Sequence, residues 1–129
     1  PASQYGCCGS SGPAPGPSRA PGCSGPLPGS PRSNDLDVVR QRLMSDAESL
    51  VSGGIDGMIL ENYGDAPYHP NRVGPHTIAC MTVLGAELVR NFNTPLGINV
   101  LRNDGLAALA VASAIGAKFV TTYIIKILK

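Results

Sequence analysis

Two short apolar runs in this 129-residue sequence end in polar side chains of types that do chemistry. Gly57-Met58-Ile59-Leu60 leads into Glu61-Asn62, and Leu96-Gly97-Ile98-Asn99-Val100-Leu101 leads into Arg102-Asn103-Asp104. Runs of this length and composition suit buried parallel strands. Side chains alternate along a strand. If Ile98 and Val100 face a helix layer, Gly97, Asn99 and Leu101 face away from it, and Glu61 takes that same side with Gly57 and Ile59. A carboxylate and an amide then meet at the carboxyl ends of two strands. A carboxylate placed there can act as a base, or bind a sugar hydroxyl or a metal. The candidate catalytic residues are therefore Glu61, Asn99 and Asp104. The candidate ligand-binding residues are Asn62, Asp65, Arg72, Arg102 and Asn103. A plainer reading stands beside this one: Glu61 and Arg102 form a structural ion pair, and Asn103 or Asp104 simply caps a helix.

The stretch from Asn62 to Gly74 is long for a connection between a strand and a helix. Its Asp65, His69 and Arg72 could bind an anion or move a proton. A lone loop histidine is more often just exposed, and His76 falls in a helix start. No GxGxxG, P-loop or nucleophile-elbow pattern occurs. The four cysteines, Cys7, Cys8, Cys23 and Cys80, match the spacing of neither a zinc site nor a disulfide framework. No metal site is expected, and no residue set specifies a cofactor. Cys80 reads as a small buried apolar residue. A net charge of +1 gives no electrostatic reason to expect nucleic acid. No apolar run has the roughly 18 residues of a membrane span.

The elements that must position these residues follow from periodicity. Asn34 can cap a first helix, with Asp37 three positions on. Leu36, Val39, Leu43, Ala47, Leu50 and Val51 recur at helical spacing, and Gly53-Gly54 stops the helix. Pro75 suits the start of a second helix, whose apolar stripe is Ile78, Met81, Leu84, Leu88 and Phe92. Asn93-Thr94-Pro95 ends it. Asn103 or Asp104 can cap a third helix, with Leu106, Leu109 and Ala110 expected to face the sheet. Gly116 closes it, and Lys118-Phe119-Val120 starts a third strand. Helix and strand alternate throughout, as in parallel βα units. Glycine stops before two of the strands, Gly54-Ile55-Asp56 and Gly116-Ala117-Lys118, echo each other.

Residues 1–33 differ from the rest: eight prolines, seven glycines, seven serines and no acidic residue. Such a stretch cannot bury enough apolar surface to offset its ordering entropy, and a disordered leader is expected. Its lack of acids, with Arg19 and Arg32, raises an organellar (mitochondrial) transit peptide. Prolines at 13, 15, 17 and 21 oppose the helix such peptides use. The compartment is not fixed by the sequence, and a reducing cytoplasmic one is the default.

Several collinear motifs resemble the BtpA family. Pro26-Leu27-Pro28-Gly29-Ser30-Pro31 is similar to the end of that family's first strand and its first loop. Gly54-Ile55-Asp56-Gly57-Met58-Ile59-Leu60-Glu61-Asn62 resembles its second strand. Gly64-Asp65-Ala66-Pro67-Tyr68 and Val73-Gly74-Pro75 resemble the loop and helix start that follow, and Pro95 to Asp104 resembles the next strand. The resemblance covers Pro26 to Val120. It implies a (β/α)8 TIM-type barrel related to ribulose-phosphate-binding barrels, and in cyanobacteria a role in the accumulation of photosystem I.

A closed barrel needs roughly 200 residues or more. The expected fold class is therefore α/β, an incomplete TIM-type barrel fragment: residues 1–33 a leader, 34–120 a partial barrel and 121–129 a divergent tail. The first strand, expected just before Pro26, is replaced by Gly/Pro-rich sequence, and the later strands are absent. Three functional readings compete: an enzyme or small-ligand binder, an assembly or stability factor for a membrane complex, and an inactive product of incomplete splicing or gene prediction. A small-molecule ligand is the expected partner. Association into oligomers stays open, because a partial barrel leaves sheet edges unpaired.

Overall fold

The computed structural model describes residues 5–6, 26–30, 32 and 34–122. Four strands and three helices follow one another: β1 (Tyr5–Gly6), α1 (Leu36–Ser52), β2 (Met58–Glu61), α2 (Pro75–Asn91), β3 (Leu96–Asn99), α3 (Gly105–Ile115) and β4 (Phe119–Val120). A single 3-10 turn, Tyr63–Asp65, interrupts the long loop after β2.

The strands form one sheet in chain order, β1-β2-β3-β4, and every pairing is parallel. Met58 pairs with Leu96 and Leu60 with Ile98, so these four side chains share a face. That face is the core. It packs against Val39, Leu43 and Ala47 of α1, Met81, Leu84 and Leu88 of α2, and Val111 and Ile115 of α3. Burying each such leucine contributes about 2–3 kcal/mol. All three helices thus bury their apolar stripes against the same side of the sheet. A doubly wound sheet would place helices on both faces. The fold is α/β with a parallel sheet, and its one-sided winding is compatible with a segment of a barrel.

The helix starts differ in detail from the sequence expectation. Asp35, not Asn34, caps α1: its side chain accepts the Asp37 N–H at 2.8 Å. The shorter reach to a backbone N–H two residues on fixes the first turn. Arg40 of α1 reaches Glu87 of α2 at 3.3 Å and Asp37 at 3.2 Å. These half-exposed pairs align the two helices and are worth no more than about 1 kcal/mol each. In α2, Pro75 takes the first helical position, as expected. Both glycine stops hold as read, with φ +80° at Gly54 and +72° at Gly116, a region open to glycine at no steric cost.

The orientation of α3 corrects the sequence expectation. Leu106 and Leu109 are 71% and 58% exposed, and Ala110 is exposed as well. Ala107, Ala108, Val111, Ala112 and Ile115 face inward instead. The smaller stripe lets α3 approach α2 closely. A Cβ at Gly85 of α2 would sit 2.6 Å from the terminal methyl of Ile115. A leucine stripe would hold the two helices further apart.

Upstream of α1, Leu27 is buried at 1% exposure, and Tyr5–Gly6 pairs with Met58–Ile59 at the sheet edge. Residues 1–4, 7–25, 31 and 33, with Cys7, Cys8 and Cys23 among them, lie outside the described residues, as do residues 123–129.

Candidate functional site

The register sets Glu61 directly beside Asn99 at the carboxyl ends of β2 and β3. Asn99 Nδ2 donates to Glu61 Oε1 at 2.8 Å. Asn99 is 2% exposed and Glu61 half-buried. Both side chains project from the sheet face opposite the helices, the side that parity assigned them. One step earlier on that face, Ile59 stands beside Gly97. A buried amide held against a carboxylate fixes the carboxylate's direction. Such a group can accept a proton or the hydrogen of a ligand hydroxyl.

The other expected site residues fall into two groups. Asn62, Asp65 and Asp104 are spent on the loops. Asn62, 2% exposed, accepts the Leu101 N–H on Oδ1 at 2.7 Å, and its amide reaches Asp65 Oδ2 at 3.4 Å. Asp65 Oδ1 accepts the Leu27 N–H at 2.9 Å and so ties the first loop to the second. Asp104 caps α3 through Oδ1, which accepts the Ala107 N–H at 2.9 Å. Its Oδ2 accepts the Val73 N–H at 2.9 Å, thirty-one residues away. Arg72, Arg102 and Asn103 are exposed on the loops beyond the strand ends. Asn103 carries φ +131°, a backbone conformation that residues with a side chain rarely adopt.

Tyr68, which sequence reasoning passed over, also belongs here. Its hydroxyl donates to the Tyr63 carbonyl, and the two rings lie 6.4 Å apart. Burial pushes its phenol above the ordinary value, and the nearby Tyr63, Glu61 and Asp65 push the same way. The loop therefore folds back toward the strand ends. Beneath it opens a cleft of about 140 Å³ lined by Ser30, Asp65, Tyr68, His69 and His76 among others. The exposed His76 ring lies against Gly29, where a Cβ would come within 2.6 Å of it. Cys80 is buried, as read, and burial raises its thiol pKa, with Asp65 adding to the shift. Among the described residues, no group of three or more His, Cys, Asp or Glu could hold a metal ion, and no helix is long and apolar enough to cross a membrane.

A parallel βα unit, with helices on one face and a polar pair at its strand ends, is the class of protein that fold and site define. The BtpA family model matches residues 24–128, and the chain belongs to that family. It is 52% identical over 95 residues to an uncharacterized protein of Archaeoglobus fulgidus, covering 74% of this chain and 38% of that one. It is 46% identical over 96 residues to the photosystem I biogenesis protein BtpA of Synechocystis, covering 74% and 33%. An uncharacterized protein of Pyrococcus horikoshii is 48% identical over 96 residues, covering 74% and 37%. The chain thus spans 33–38% of the length of these relatives. No solved structure matches it.

Proposed function

We propose that this chain is part of a (β/α)8 barrel that binds a small molecule at the carboxyl ends of its strands, with a phosphorylated sugar the first class to test. One observation carries the reading: the Asn99–Glu61 hydrogen bond of 2.8 Å between adjacent parallel strand ends, on the face away from the helices. Barrel enzymes place their chemistry at that end of the strands. Glu61 would bind a hydroxyl or take a proton, and Asn99 would hold it in line. Arg72 and Arg102, on the loops that follow β2 and β3, would meet an anionic group. Asn62, Asp65 and Asp104 would hold the loops in place. The test uses a full-length barrel carrying these residues. Glu61→Gln and Asn99→Ala are compared with the parent by thermal melting and by binding of a library of phosphorylated pentoses and hexoses. Binding should fall at least tenfold while melting holds or rises, because binding sites trade stability for function. If both variants melt many degrees lower and bind the library as the parent does, the pair is structural.

A second reading, a non-enzymatic assembly or stability factor, is supported by the name of the Synechocystis relative, a photosystem I biogenesis protein at 46% identity. It fits a parent that binds no sugar but co-purifies with a membrane complex. Self-association is a further proposal, since the described sheet ends at a two-residue strand on each side. Sedimentation at two protein concentrations tests it.

A further inference from the structure

Beyond β4 the chain keeps its register for one more residue. Gly97 pairs with Phe119 and Ile98 with Val120. The Thr121 N–H then donates to the Ile98 carbonyl at 3.0 Å, so the next step of the ladder sets Thr121 beside Asn99. Val120 packs into the helix-side core. Alternation therefore turns Phe119 and Thr121 to the opposite face, the one that carries Glu61 and Asn99. The Phe119 ring lies over Gly97 so closely that no Cβ would fit there. The Thr121 Oγ1 is buried and has no hydrogen-bond partner. Buried hydroxyls are ordinarily paired, and an unpaired one is costly.

We propose that Thr121 is the third side chain of the strand-end site, and that Glu61, Asn99 and Thr121, above a floor of Ile59 and Phe119, bind the hydroxyl-bearing edge of a sugar rather than its phosphate. The inference rests on the small-ligand reading above and deepens it. Three adjacent strands each contribute one polar group, and each group suits a hydroxyl: a carboxylate that accepts, an amide that does both, a hydroxyl that does both. The aromatic and aliphatic floor suits the C–H face of a sugar ring. The Glu61 charge would repel a phosphate. The phosphate is left to the exposed cations on the loops.

The experiment replaces Thr121 by Val, which keeps the shape and removes the hydroxyl, and by Ser, which restores it. Both are made in the full-length barrel. Binding of D-ribose, D-ribose 5-phosphate and inorganic phosphate is followed by NMR titration, with thermal melting alongside. Thr121→Val should weaken both sugars about tenfold, the worth of one lost hydrogen bond, and leave inorganic phosphate unchanged. Its melting temperature should hold or rise, because an unpaired buried hydroxyl has gone. Thr121→Ser should recover most of the sugar binding. The inference is overturned if Thr121→Val binds both sugars as the parent does while Glu61→Gln does not; the small-ligand reading then survives. It is also overturned if only the phosphorylated sugar and inorganic phosphate weaken, since Thr121 would then hold the phosphate. A parent that binds no sugar overturns both.

Discussion

Asp104 offers the sharpest decision between chemistry and architecture. Its residue type and its place after a strand mark it for catalysis, yet in the fold each carboxylate oxygen already has an N–H to hold. Asp104→Ala removes an N-cap, at a cost of about 1 kcal/mol. It also leaves the half-buried Val73 N–H without its acceptor, which costs about 1–2 kcal/mol more where water has partial access. The expected loss is about 2–3 kcal/mol. Asp104→Asn keeps one acceptor oxygen and turns an NH2 toward the other N–H, so about half of that loss is expected. Urea denaturation of a full-length protein carrying these residues reads both variants, with an unchanged slope showing that the unfolding reaction itself is the same. Amide exchange localises the effect: Val73 and Ala107 should lose protection together, although they lie on different segments. A variant that denatures within about 0.5 kcal/mol of the parent, inside the range of ordinary surface substitutions, yet loses sugar binding would refute the reasoning and return Asp104 to the catalytic set.

Gly29→Ala should destabilise by about 1–3 kcal/mol, because Gly29 has φ +95° and its Cβ would meet the His76 ring at 2.6 Å. In a double-mutant cycle His76→Ala should recover the part due to the clash and leave the backbone part; strict additivity would show that the ring is not the obstacle. Tyr68 should be late among the tyrosines to ionise when absorbance at 295 nm is followed against pH. Since its pKa is raised in the fold, its contribution to stability is complete below the ordinary phenol value and is lost as pH rises through the folded value. Glu61→Gln should bring that ionisation to lower pH by removing a nearby negative charge, and an unmoved titration would mean that the loop does not lie over the strand ends.

The strand-end pair was legible because β-strand parity is a rule of two. Once Ile98 and Val100 were assigned to the helices, Asn99 had one side left to take, and Glu61 followed from the matching run in β2. The helix stops at Gly54 and Gly116 were legible for a similar reason, since a left-handed position names its residue. The hydrogen bonds of Asp65 to Leu27 and of Asp104 to Val73 span 38 and 31 residues. No local pattern encodes such pairings. An aspartate reserved for a distant N–H and one reserved for a substrate look alike in sequence.

The misreading of α3 has a different cause. Gly105 to Ile115 is apolar on almost every side, so its periodicity carries no phase. Leu106, Leu109 and Ala110 form one plausible stripe, and Ala107, Ala108, Val111, Ala112 and Ile115 form another. Side-chain size points to the leucines, because they bury the most area. The fold takes the other stripe, whose small side chains let α3 lie close against Gly85 of α2. Asp104, at the first turn of α3, also accepts the Val73 N–H and so ties the start of that helix to the loop before α2. The leucines left outside, at 71% and 58% exposure, form an apolar strip on the outer surface. In a barrel, the flanks of one helix border its two neighbours in the ring. An all-round apolar helix is therefore what a chain would place between two helical neighbours, and the described residues supply only α2 on one side.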